Sequence, residues 1–246
     1  MSGQPVLTMA PRGGCAEVVL TRTALDMATV TALAAALDEA EATASTRVLV
    51  ISSQAPAFCT GMPLSHGTLP PDAAAAQEQL SALLVRLARS RLITIALVDG
   101  AAMAGGLALC AACDLVVAGP RATFRITELQ VGLVPSVLLP IVARRTGYHR
   151  AFTLALTARS LSVEEALAMG LVDHTDDDPR QARRQILRAL RGTDAAAAAA
   201  VKAYYNQLAP PDSFGIHNAV RAFQDRLLDP GVHSRLARFS QQGILA

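Results

Sequence analysis

The chain has 246 residues, of which 52% are hydrophobic and 17% charged, and its formal net charge is +2. That length and apolar share are enough to bury a large core and exclude global disorder. So small a net charge, with 4% aromatic residues, excludes an extended nucleic-acid surface. Residues 1–14 lack a charged start followed by an apolar run, and no stretch of about 18 uninterrupted apolar residues occurs, so a soluble cytoplasmic protein without membrane contact is expected.

In chain order, Val18–Leu20 and Val48–Ile51 read as short buried strands, the second a continuous apolar run of the kind found in a parallel sheet covered on both faces. Between them, residues 26–43 carry Val30, Leu33 and Leu37 at helical spacing, which makes a strand–helix–strand unit. Phe58-Cys59-Thr60-Gly61-Met62-Pro63 is a Gly/Pro-punctuated loop beyond the carboxyl end of the second strand, where open parallel sheets carry function. An amphipathic helix from about Ala73 to Ser90, with Leu80, Leu83, Leu84 and Leu87 on one stripe, precedes a strand over Ile93–Val98. The strand delivers Asp99-Gly100 and the small-residue turn Ala104-Gly105-Gly106, which opens an Ala/Leu/Cys helix. The first amides of such a helix have no internal partner and point toward a ligand. A strand ending at Ala118 and an extended piece from Thr123 to Ile126 follow, then Glu128, the one carboxylate between Phe124 and Pro140. Helices are expected over 138–145, 150–157, from a capping box at Ser162 and Glu165, over 180–191 and over 195–208, with one or two more after Pro210-Pro211. Alternating strand and helix predict an α/β fold, with a core over residues 1–190 and a helical region over 191–246.

Cys15, Cys59, Cys110 and Cys113 do not form a disulfide framework at this length. Cys110 and Cys113 have CxxC spacing, but with no second CxxC or paired histidines nearby they read as small buried hydrophobes, and no metal is expected. His149, His174, His217 and His233 stand at no metal or triad spacing, and Ser136 has no evident base partner. Arg125 and Arg144 are candidates to bind a substrate carboxylate as a fork, with solvated surface arginines as the plain alternative.

Five segments, taken in register, resemble the crotonase (enoyl-CoA hydratase/isomerase) superfamily: Phe58–Met62, Asp99-Gly100 with Gly105-Gly106, Cys113–Ala118, Phe124–Pro135 and Ala166–Asp173. Within it, Phe-Cys-x-Gly-Met, Val137-Leu138-Leu139-Pro140 and Arg144-Arg145-x-Gly-Tyr148 are most similar to the 3-hydroxy-3-methylglutaryl dehydratases of polyketide β-branching. The resemblance implies a spiral of ββα turns with a C-terminal helical region used for trimer contacts, a homotrimer or hexamer, and an acyl carrier protein as partner. It implies no cofactor beyond the phosphopantetheine arm, or CoA, that carries the substrate. Carried over residue by residue, the oxyanion hole falls on the backbone N–H groups of Met62 and Gly105, and the proton-exchanging carboxylate on Glu128. Phe58, Gly61, Gly106, Ala108 and Pro135 fall around the substrate. The plain alternatives are that Gly105-Gly106 only allows close helix–strand packing and that Glu128 is a surface or capping residue. Glu128, among mostly apolar neighbours, is expected to have a raised pKa that suits it to accept and return a proton near neutrality.

Two departures narrow the chemistry. The first catalytic glutamate of hydratases falls on Ala108, and a methyl group cannot transfer a proton, so the efficient hydration of ordinary enoyl-CoA is not expected. His66 is a candidate for the missing acid, with an exposed loop histidine as the alternative. The segment that grips the CoA nucleotide reads Thr21-Arg22-Thr23-Ala24-Leu25-Asp26, with no basic residue after Thr23, which favours a carrier-protein-tethered substrate. The resulting expectation is dehydration of a 3-hydroxy-3-methylglutaryl thioester to the 3-methylglutaconyl thioester through an enolate. An enoyl-CoA isomerase or hydratase with a single glutamate is the second reading, and a non-catalytic interaction subunit the third.

Overall fold

The computed structural model describes residues 6–63, 68–211 and 215–241. Its principal sheet contains β1 (Leu7–Arg12), β2 (Cys15–Leu20), β3 (Val48–Ser53), β4 (Ile93–Val98), β6 (Leu115–Ala118) and β8 (His174–Thr175) in that spatial order. All neighbours are parallel except β1 and β2. A small parallel pair joins β5 (Ala101–Met103) to β7 (Thr123–Arg125). The strand β1 lies where no strand is expected from the sequence. It turns back at Gly13 and Gly14, with φ of 53° and 82°, the paired positive values that a two-residue hairpin turn requires.

Period-two alternation along the parallel strands separates two cores. Leu49, Ile51, Ala96, Val98, Val116 and Ala118 face one side, where α1 (Met27–Ala42), α2 (Ala73–Arg89) and α3 (Gly105–Ala112) bring in Leu33, Leu37, Leu83, Leu84 and Leu109. Val48, Val50, Ile95, Leu97 and Val117 face the other, closed by Ala182 of α7 (Pro179–Leu190). Burial on both faces is why these strands read as unbroken apolar runs.

The chain makes the same circuit repeatedly. From β4 it passes to β5 and then into α3; from β6 it passes to β7 and then through a single 3-10 turn (Glu128–Val131) into α4 (Leu138–Thr146) and α5 (Tyr148–Thr157). Isolated bridges extend the small sheet to the earlier turns, pairing Ala24 with Gly61 and Cys59 with Ala102, and to Leu161 through Phe124. The expected ββα spiral is therefore present. The capping box at Ser162 forms as expected and starts α6 (Val163–Ala168).

After α7 come α8 (Ala195–Leu208), α9 (Ile216–Leu227) and α10 (Pro230–Gln241). They pack back onto the spiral. Lys202 of α8 is 9% exposed and donates to the carbonyls of Leu87 and Leu92 and to the Asp114 carboxylate at 3.1, 2.9 and 2.7 Å. Val131, Leu133, Phe223, Val232 and Leu236 form a separate apolar cluster that holds α9 and α10 against the 3-10 turn. Among the described residues no helix is long and apolar enough to cross a membrane.

Candidate active site

A cavity of about 260 Å3 opens where the small sheet, the starts of α2 and α3, the 3-10 turn and the last two helices meet. Met62, Gly105, Ala108 and Glu128 all line it. These are residues that the sequence separates by up to 66 positions, brought together by the spiral.

The loop 58–62 is pinned by main-chain bonds on both sides. The Cys59 amide donates to Ala101 at 3.1 Å, the Met103 amide to Cys59 at 2.9 Å, the Thr60 amide to Thr23 at 2.9 Å and the Leu25 amide to Gly61 at 2.8 Å. Gly61 has φ of +84°, and a side chain there would stand 2.9 Å from Ala104 Cβ and 3.2 Å from the Gly105 nitrogen. Only glycine lets the loop approach the start of α3 so closely. Gly106 is under a harder constraint, since a Cβ on it would lie 2.1 Å from the Cys59 carbonyl oxygen. The plain reading of Gly106 as a close-packing residue therefore describes it well, and it stands behind the cavity wall rather than on it.

Ala104, the residue preceding α3, adopts φ 48° and ψ −124°, an uncommon conformation for a residue with a side chain. Its amide is tied to the Arg125 carbonyl at 3.0 Å. The strained residue orients the next peptide, so that the Gly105 N–H begins the helix without an intrahelical acceptor. Among the described residues neither the Met62 nor the Gly105 amide donates a hydrogen bond. Two unspent donors at one end of a mostly apolar cavity suit a developing oxyanion.

Glu128 heads the 3-10 turn, and its Oε2 accepts from the Thr127 amide at 2.9 Å. Removal from water pushes its pKa from the ordinary 4.5 up to about 7, against the lowering effect of the backbone amides of Glu128 and Thr127. No cation forms an ion pair with it among the described residues. An acid in this state can take a proton and return it near neutrality. The 3-10 turn closes on Gly132, whose amide returns to the carbonyls of Glu128 and Leu129.

The remaining sequence candidates fall in different places. Phe58 is 1% exposed in the core, and Phe58, Gly61 and Pro135 do not line the cavity, so they shape it from behind. His66 lies outside the described residues. Ser136 donates to the Ala219 carbonyl at 2.5 Å and so fastens α9. Arg144 is away from the cavity, bonded to Asn206 at 2.5 Å and lying over the Tyr205 ring, whereas Arg125 is on the cavity wall. Cys59, Cys110 and Cys113 are buried, and burial pushes the Cys59 and Cys113 thiols up to about 11 and about 12, as for small core hydrophobes. Thr127, Gln130 and Gln77, polar residues that the sequence did not single out, also line the cavity. Thr127 and Gln130 stand within two positions of Glu128, and that adjacency is the sequence signal that points to them.

The enoyl-CoA hydratase/isomerase family model matches residues 12–229. The bacillaene synthase dehydratase PksH of Bacillus subtilis is 32% identical over 170 residues, which is 69% of this chain and 66% of that protein. The mitochondrial enoyl-CoA hydratase domain-containing protein 2 of Bos taurus is 34% identical over 175 residues, 67% of this chain and 58% of that one. The chain thus aligns in sequence to just under two thirds of the first relative's length and to less of the second. In three dimensions, the crystal structure of pksH from Bacillus subtilis superposes with a TM-score of 0.86 at 23% identity, covering 97% of this chain and 98% of that one. With the family pattern running through all the strands from β2 to β8 and the same spiral in the solved structure, the chain belongs to the enoyl-CoA hydratase/isomerase family.

Proposed function

We propose that the protein dehydrates a 3-hydroxy-3-methylglutaryl thioester, carried on the phosphopantetheine of an acyl carrier protein, to the 3-methylglutaconyl thioester. The observation that carries this reading is a single half-buried carboxylate, Glu128, with a pKa raised to about 7, sharing one cavity with two unspent amides and with the methyl group of Ala108. The Glu128 carboxylate removes the α-proton, and the thioester oxygen takes the charge between the Met62 and Gly105 N–H groups. Each such donor contributes about 3 kcal/mol to the transition state. The enolate pair then forms the α,β double bond as the C3–O bond breaks. The proton on Glu128 leaves with the hydroxide as water, which restores the carboxylate. A tertiary C3 carries developing positive charge more readily than a secondary one, so the step tolerates the absence of a second acid at Ala108.

The name and 32% identity of the bacillaene synthase dehydratase support a dehydratase of polyketide synthesis. The weak nucleotide grip at Thr21–Asp26, where Arg22 is spent on Asp26 at 3.1 Å, supports a carrier protein over free CoA. A homotrimer or hexamer accords with the exposed apolar stripes Tyr148, Phe152 and Leu156 on α5 and Val201, Tyr204 and Leu208 on α8. We place the protein in the cytoplasm and assign it no cofactor besides the substrate's own phosphopantetheine arm.

The test is mass spectrometry of the carrier-bound substrate incubated with wild type and with Glu128→Ala. Loss of the mass of one water by wild type alone is expected; no loss by wild type refutes the reaction, and undiminished loss by the variant refutes the role of Glu128. The second reading, an isomerase, is favoured by the same single base, and conversion of a 3-enoyl-CoA to its 2-enoyl isomer would put it first.

A further inference from the structure

The cavity holds one cation. Arg125 and Glu128 are the only charged side chains among the described residues that line it. Arg125 ends β7, where Phe124 before it is 0% exposed and faces the core, so the alternation of a strand turns Arg125 the other way. Its register partner across the small sheet is Met103, which lines the same cavity. The guanidinium is anchored at one point, with Nε donating to the Ala158 carbonyl at 2.6 Å. Its two terminal nitrogens have no hydrogen-bond or ion-pair partner among the described residues. With Nε spent, the edge formed by those two nitrogens is the fork that accepts a carboxylate bidentately.

We propose that Arg125 is the specificity-determining residue of the site and selects acyl thioesters that carry a second carboxylate at the far end of the acyl chain. This deepens, and rests on, the dehydratase reading above. The Arg125 carbonyl receives the amide of Ala104, so the strand that presents the guanidinium also supports the turn that presents the Gly105 amide. Thioester oxygen and distal carboxylate are thereby held from one rigid pair of strands, with Glu128 three residues beyond Arg125 on the same wall. A neutral alkyl acyl group seated there would strip water from the guanidinium and offer no acceptor. Sites built around a polar partner reject ligands lacking it far more strongly than apolar pockets reject a methylene.

The experiment measures binding of two unreactive probes, glutaryl-pantetheine and its terminal-amide counterpart, to the wild type, Arg125→Lys and Arg125→Met by calorimetry at pH 8. Wild type is expected to bind the carboxylate at least about tenfold more tightly than the amide. Arg125→Met is expected to bring that ratio to about one, and Arg125→Lys to retain part of it as a point charge without the fork. A wild-type ratio near one overturns the proposal without need of any variant, and so does a ratio that persists in Arg125→Met. Because neither probe can lose water, the outcome separates from the dehydratase reading. Selective probe binding by an enzyme that leaves the 3-hydroxy-3-methylglutaryl thioester unreacted keeps Arg125 in its role and removes the reaction.

Discussion

Two carboxylates stand near the ends of strands in this molecule, and they are treated in opposite ways. Asp114, just before β6, has its Oδ2 surrounded by donors: the Thr94 amide at 2.7 Å, the Thr94 hydroxyl at 2.9 Å and Lys202 at 2.7 Å. Glu128, just after β7, receives only local backbone amides and no cation. The first arrangement ties α8 to the sheet and satisfies nearly every polar atom it buries. The second leaves an acid short of partners beside unspent amides and a strained Ala104. Buried polar groups with full partners build structure, and those held short of partners are where chemistry is done.

The contrast breaks most visibly on catalysis. Glu128→Gln keeps the shape of the acid and removes the base, so water loss should fall about a hundred- to ten-thousand-fold. In the wild type, kcat/KM should rise with pH along a limb near 7, because only the ionised acid accepts a proton. A limb near the ordinary 4.5 would show that burial does not tune this group.

At the other carboxylate the expected effect is on stability alone. Lys202→Met leaves Asp114 without its cation and should cost about 3 kcal/mol in denaturant unfolding; a change within 0.5 kcal/mol (about the scatter of an ordinary surface substitution) would mean the pair is not coupled to the fold.

The third effect has the opposite sign. Burial raises the folded-state pKa of Glu128, so on raising the pH the unfolded chain ionises first, and folding loses stability between pH 4.5 and about 7. That loss amounts to about 3 kcal/mol at most. Glu128→Gln should therefore be more stable than wild type above pH 7 by up to that amount, with the gain gone below pH 4.5. Unfolding curves at pH 4 and pH 8 (about half a unit below and one unit above the window that linkage defines) check it, and an equal effect at both would mean the gain is not electrostatic.

The smallest effect is at the strained turn. Ala104→Gly releases a side chain from φ 48° and should add about 1 kcal/mol of stability, while kcat falls with little change in KM because the Gly105 amide is less firmly aimed. Loss of stability instead would remove strain from the account of this turn.

Much of this was legible from the residues. Unbroken apolar runs at Val48–Ile51 and Ile93–Val98 announce strands covered on both faces, and Glu128 is conspicuous as the one acid in an apolar stretch. The edge strand β1 is hard to read from sequence because its strongest signal is the Gly13-Gly14 pair rather than an apolar run. Likeness of motif puts Phe58 and Pro135 near substrate, yet they shape the cavity from behind, since which side of a loop faces a cavity depends on what packs against the other side. Arg125 and Arg144 were indistinguishable in sequence, and their neighbours separate them: Ala158 and an open cavity for one, Tyr205 and Asn206 for the other.

By itself the sequence determined the alternation of strand and helix, the family pattern and the absence of an acid at Ala108, because hydrophobic period, glycine placement and residue identity are local properties. The raised pKa of Glu128 is likewise the direction its apolar neighbours in the sequence lead one to expect. Only the tertiary structure decided that Arg125, and not Arg144, shares one cavity with Met62, Gly105, Ala108 and Glu128, and that Asp114 is paired with Lys202. Partnering is set by what the chain brings close from far along its length, and no local pattern records that.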